Sequence, residues 1–202
     1  MSVRADILSV ALAAGLAVSA GAAGAGSLNT ISDPSYTLEA PTQSASPWVG
    51  GYAGVQLQYF HVIDGAVNRD GSGVMGGAHV GYRGEGGPYI FGVELEANAV
   101  PIQLQSGGTI DFFVAGKGKY AVPIGRLLLG ATVGVSVYGT SFGTASGFVY
   151  GGSLEYLATD KVSVGLEYLG HNITSYGNPP NPTVPGPTAI AGSVSFRASY
   201  KF

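Results

Sequence analysis

Nine ionisable residues recur in short apolar segments at spacings that could serve acid–base chemistry or charge pairing. Glu94 and Glu96 stand in YIFGVELEANA, Lys117 and Lys119 in FFVAGKGKYAV, and Arg126 precedes LLLGATVGV. Glu155 lies in GSLEYL, Glu167 in VGLEYL, and Arg197 and Lys201 in SVSFRASYKF. Paired carboxylates with displaced pKa values can act as a general acid and a general base. Carboxylates interleaved with lysine and arginine on one face are satisfied more simply as ion pairs, and the spacing favours that reading. The rest of the chain offers little other chemistry. There is no cysteine, which excludes disulfides and thiolate metal sites. A net charge of −3 leaves no basic footprint for nucleic acid. Residues 172–175 after His171, Asn-Ile-Thr-Ser, put no hydroxyl at alternate spacing on its strand face, so no nucleophile–base pair is expected there. Glycine-rich stretches are followed by no helix that could cradle a phosphate. No catalytic, cofactor or metal residue is assigned.

The segments that carry these charges read as strands. Counting back from Phe202, one face of the last fifteen residues holds Phe202, Tyr200, Ala198, Phe196, Val194, Gly192 and Ile190, and the other holds Lys201, Ser199, Arg197, Ser195 and Ser193. Alternation of this kind marks a β-strand with one apolar and one polar face. Seven earlier segments repeat it, which makes eight strands. In the fourth, Ile110, Phe112, Val114 and Tyr120 are expected on the apolar face and Asp111, Phe113, Ala115, Lys117 and Lys119 on the polar one. In the second, Met75, His79 and Arg83 fall on the polar side. Apolar faces outward and ionisable faces inward are the pattern of an eight-stranded antiparallel up-and-down transmembrane β-barrel. A soluble ligand-binding barrel would need the faces reversed, overfilling an interior that holds little more than side chains.

Composition agrees. Charged residues make up 10% of the chain, against about 25% in ordinary globular domains, and 34 of 202 residues are glycine. Residues 1–25 read as a signal peptide, with Arg4 before the apolar run ILSVALAAGLAVSA and small residues at Ala22 and Ala25. Residues 26–47 are rich in Ser, Thr and Pro and read as a flexible segment. Residues 48–202 are the expected barrel. Its connections after strands two, four and six are short (GEGG, VPIG, ATD), and those after one, three, five and seven are longer. Short turns belong on the periplasmic side and long loops outside. Tyr82, Tyr89, Tyr120, Tyr156, Tyr200 and Phe202 then form a periplasmic aromatic girdle.

The segments WVGGYAG, GGAHVGY with FGVELEA, KGKYAVPIGRLLLGATVGVSVYG, EYLATDKVSVGLEYLG and SFRASYKF together resemble the OmpA-like outer-membrane β-barrel family. Within it the likeness is to the small major outer-membrane ("porin family") proteins of alphaproteobacteria. Such families usually present two inward arginines before a Gly-Tyr in the fourth strand, where this chain has Ala115, Lys117, Lys119 and Tyr120. The peptidoglycan-binding domain of full-length OmpA is not expected. The resemblance implies structural or surface-exposed roles and, in some members, haem binding, for which His61 or His171 would be the ligands. Plain hydrogen-bonded histidines are the simpler reading.

Together these observations predict a non-enzymatic outer-membrane protein whose lumen is closed by inward ion pairs, with Glu94 and Lys117 adjacent across a hairpin. Inward glycines such as Gly77, Gly130, Gly134, Gly151 and Gly165 leave room for the long side chains. The alternative is a narrow channel or a ligand-binding surface protein. Expected partners are outer-membrane lipid, the assembly machinery that would read Tyr200 and Phe202, and surface ligands of the long loops.

Overall fold

The computed structural model describes residues 46–63, 71–103, 108–141, 143–174 and 189–202. The expected signal peptide and nearly all of the Ser/Thr/Pro-rich segment lie outside these residues. Eight strands run in chain order: β1 (Gly50–Ile63), β2 (Gly71–Gly86), β3 (Tyr89–Gln103), β4 (Thr109–Ile124), β5 (Leu127–Thr140), β6 (Gly143–Leu157), β7 (Val162–Thr174) and β8 (Ala189–Lys201). Each pairs antiparallel with its sequence neighbour, and β8 pairs with β1 to close the barrel. Closure satisfies every strand edge, which a sheet in hydrocarbon requires.

Side-chain alternation holds through the barrel. Val55, Leu57 and Tyr59 face out beside the buried Gln56, Gln58 and Phe60, and Phe148, Tyr150, Leu154 and Tyr156 face out beside the buried Val149 and Glu155. The tyrosines expected at the girdle are exposed next to the short turns, with the Tyr89 and Tyr120 rings 5.2 Å apart. Gly87 and Gly125 lead the two tightest of these turns with φ of 63° and 61°, the left-handed backbone that primed hairpin turns need at this point.

Three expectations are corrected. Strands of 13 to 16 residues exceed the ten or so expected, so the ladder continues past what a tilted membrane crossing needs. That extension consumes the supposed long connection between β5 and β6, leaving only residues 141–142 between Thr140 and Gly143. The other three long connections fall largely outside the described residues. Ile110, expected to face lipid, is fully buried, because the register of β4 against β5 slips between Ile110 and Phe112 and reverses the alternation at that point.

Candidate functional site

Inward-facing residues divide the lumen into three layers. Nearest the short turns, Trp48, just ahead of β1, packs with Ile90, Ala121, Leu128 and Leu157 as a small apolar cap. In the middle lies a belt of charge. Towards the far end Phe60, Val62, Met75, Ile102, Ile110, Phe113, Tyr138, Val149 and Ile173 form a larger apolar layer.

The belt is assembled from both sides of the barrel. The register sets Glu94 of β3 directly opposite Lys117 of β4. Lys117 Nζ lies 2.8 Å from Glu94 Oε1 and 2.8 Å from Glu167 Oε2, and also contacts Glu96. Lys119 Nζ lies 3.1 Å from Glu94 and 2.9 Å from Glu167. Arg197 reaches in from β8, placing Nη2 2.7 Å from Glu94 and Nη1 against Glu167. Tyr52 Oη donates to Glu94 at 2.7 Å, and Thr132 Oγ1 to Glu167 at 3.2 Å. Cβ atoms built at Gly134 and Gly165 would lie 3.1 Å from Lys117 Cγ and 2.8 Å from Glu155 Cγ, so these two inward glycines make the space those side chains use. The carboxylates of Glu94, Glu96 and Glu167 converge to within 4.8 Å, a spacing that could hold a metal ion. Lys117 already sits among all three, so an ammonium supplies the compensating charge.

Not every expected member joins. Glu155 is in the lumen, but its partner is Arg83, which donates to both carboxylate oxygens at 2.6 and 2.8 Å. Alternation places Arg83 inward, on the same strand face as His79, although it is not among the nine expected network members. Its guanidinium also lies over the Tyr52 ring, 4.2 Å from the centroid, and 5.6 Å from that of Trp48. Arg126 is a correction. It occupies the β4–β5 turn, is exposed, and donates to the carbonyls of Leu157 and Ala158. Lys201 is another: it lies at the rim beside the short turns, half-buried, with Nζ on the carbonyl of Pro47 at 2.5 Å. Strand alternation points both inward, but neither reaches the level of the belt. With Arg83 added and these two removed, four glutamates face four cations in the lumen among the described residues, and their charges balance.

Two histidines extend the network. His79 Nδ1 lies 2.5 Å from Gln56 Oε1 and its Nε2 2.8 Å from Ser199 Oγ. Gln56 in turn donates to Asn98, and Asn98 to Glu96, so a chain of hydrogen bonds runs from β8 to the belt. His171 Nε2 lies 2.8 Å from Ser193 Oγ and its Nδ1 2.8 Å from Tyr138 Oη, which accepts from Ser136. Alternation along a single strand shows no hydroxyl beside either histidine, whereas Ser193 comes from β8 next to His171 on β7, and Ser199 from β8 across β1 from His79 on β2. Nucleophile and base distance is thus met twice, but Ser193 and His171 are fully enclosed. Ser199 borders a cavity of about 10 Å³ at the mouth beside the short turns, which is room for a single water and no substrate. His171 packs edge-on to Phe60 at 4.8 Å between ring centroids, with both nitrogens engaged, so it is not a surface haem ligand. His61 lies in β1 on the exposed face.

A family model for the outer membrane protein beta-barrel domain matches residues 34–202, which takes in every strand and the whole belt. The chain belongs to this family. It is a bacterial outer-membrane protein, and the exposed apolar band is its lipid-facing surface. Among solved structures it is similar to Neisserial surface protein A, at 13% identity and a TM-score of 0.51 over 79% of this chain and 100% of the other. It is also similar to Ail, the attachment invasion locus protein of Yersinia pestis, at 13% identity and a TM-score of 0.42 over 76% of this chain and 99% of that one. At 13% identity the likeness to Neisserial surface protein A is one of fold. No curated protein matches the chain.

Proposed function

We propose that this outer-membrane barrel is a structural, surface-exposed protein that neither conducts nor catalyses, akin to the small major outer-membrane proteins of alphaproteobacteria. The observation that carries the reading is the filled lumen: an apolar cap, a neutral belt of ion pairs and an aromatic layer follow one another along the axis. An ion crossing this interior would have to break the salt bridges of Lys117 and Arg197 and then pass an apolar layer that offers it few ligands. The enclosed histidine–serine contacts fit a supporting network better than a reaction centre. What varies between such scaffolds is the surface, so ligands are expected to engage the long loops. Assembly is expected to depend on β8 and on Phe202 just after it, which is exposed and whose backbone N–H donates to the Gly51 carbonyl at 3.0 Å, at the seam where the barrel closes.

Planar-bilayer recording on the purified protein tests the reading. At most rare, small openings are expected; steady, large and weakly selective conductance would overturn it in favour of a channel.

A further inference from the structure

Cations that do not serve the lumen gather at one place. Among the described residues Arg83, Lys117, Lys119 and Arg197 are buried against glutamates, and the remaining three, Arg126, Lys161 and Lys201, all lie at the end of the short turns. None of the three has a carboxylate within 4.0 Å among the described residues. At the opposite end the described residues include one charged side chain, Asp111, and no lysine or arginine.

Arg126 and Lys161 meet at the β6–β7 turn, residues 158–161, and Lys201 is joined to it through its backbone while its ammonium lies on Pro47. Arg126 is pinned to it by Nε on Leu157 O at 2.9 Å and Nη2 on Ala158 O at 3.3 Å, which uses two of its five N–H donors. Lys161 is part of the turn, and its carbonyl accepts from the Lys201 backbone N–H at 2.7 Å. Each of two cations sits beside an outward tyrosine: Arg126 Cζ is 6.0 Å from the Tyr156 ring centroid and Lys161 Nζ is 6.0 Å from that of Tyr200. The register places Tyr156 opposite Val164 and Tyr200 opposite Val162, so the tyrosines flank the two smaller, half-buried valines of β7. The lipid-facing surface thus carries a shallow apolar slot with aromatic walls and positive charge at its periplasmic end. Asp160, exposed in the same turn, offsets one of the three charges.

We propose that this rim is a binding site for an anionic phospholipid of the periplasmic leaflet. Its phosphate is held by Arg126 and Lys161, and one acyl chain runs along Val162 and Val164 between Tyr156 and Tyr200. Charge complementarity selects the anionic headgroup, because juxtamembrane lysine and arginine attract anionic lipid while aromatic rings settle at the headgroup level. Arg126, held by two carbonyls, is oriented before the lipid arrives.

Native mass spectrometry of the full chain released from detergent, with phosphatidylglycerol and phosphatidylcholine of identical acyl chains, tests the site. Wild type is expected to retain phosphatidylglycerol in preference, and R126Q and K161Q are each expected to lower that preference roughly fivefold. The charge-retaining pair R126K with K161R should keep it, and inorganic phosphate should not displace the lipid, which is also held by its acyl chain. Should R126Q disturb the turn, K161Q alone decides, since the Lys161 side chain holds no carbonyl. Equal retention of the two lipids by wild type, an unchanged preference in K161Q, or displacement by free phosphate would overturn the proposal.

Discussion

The belt and the apolar layer beyond it occupy the same lumen, line the same strands and differ in what holds them. In the belt the contacts centre on charge: Lys117 meets three carboxylates, and Glu94 meets Lys117, Lys119 and Arg197. In the apolar layer Phe113 stacks on Tyr138 at 5.5 Å with an interplanar angle of 18°, and Phe60 leans on both. Volume fills that layer, and hydrogen bonds matter mainly where Tyr138 links Ser136 to His171. A deletion in the first region strands a charge, whereas a deletion in the second leaves space. The two regions should therefore fail differently, although both keep the barrel closed.

The largest effect is expected at Lys117. Removing one member of a buried pair costs about 3–5 kcal/mol because its partner is left uncompensated. K117M strands part of the charge of three carboxylates, so its loss in urea or thermal unfolding should lie at the upper end of that range. E94Q should be destabilising alone, and E94Q combined with K117M should recover part of the loss. Additive losses in that double-mutant cycle would mean that the belt is not coupled through this pair.

Next comes the apolar layer. F113A removes a fully buried ring and should cost about 3–4 kcal/mol, as large-to-small core changes do. No single charge reversion should rescue it, unlike K117M. Bilayer recording sharpens the contrast: each variant leaves the other layer in place, so neither alone should produce steady conductance. A conducting F113A barrel would mean that the belt does not seal.

The strand count, the faces and the hairpin pair Glu94 and Lys117 were legible because alternation is local and a hairpin fixes its own register. What Arg197 and Glu167 meet across the lumen was not legible, since that depends on strand stagger around the closed barrel, which a linear pattern does not encode. Arg126 and Lys201 were misplaced for a related reason: alternation gives the side of the sheet but not the height at which the lumen ends. Ile110 departs from alternation at a bulge, and although alternation does put Phe113 inward, the polar-inside rule gives no reason to expect Phe60 and Phe113 to meet in an aromatic layer.

Between the two regions lies Gln58, fully buried, with neither amide atom hydrogen-bonded among the described residues. It faces Ser195 in the register, whose hydroxyl is likewise unpartnered among them. An enclosed amide without partners carries a desolvation cost of about 1–3 kcal/mol that an apolar side chain of similar length avoids. Q58M is therefore expected to raise stability by about 1 kcal/mol, read as a shift to higher urea at the unfolding midpoint. A loss instead would show that Gln58 belongs energetically to the belt, and that the polar region extends one residue further than its contacts define.

The smallest effect is expected at Lys201, which strand alternation ranks with Lys117. Both are inward by parity, yet Lys117 is buried under three carboxylates while Lys201 is half-buried at the rim and meets a single carbonyl, that of Pro47. Water screens a charge in that position, and substitutions at such sites usually stay within about 0.5 kcal/mol. K201Q should therefore leave the unfolding midpoint nearly unchanged and leave the coupling between positions 94 and 117 intact. The amide can still donate to Pro47 O, so K201M supplies the stricter case by removing the donor as well. If K201M approached the loss seen in K117M, depth along the barrel axis would not be what separates the two lysines, and the tie to Pro47 would count as part of the closure at the mouth beside the short turns.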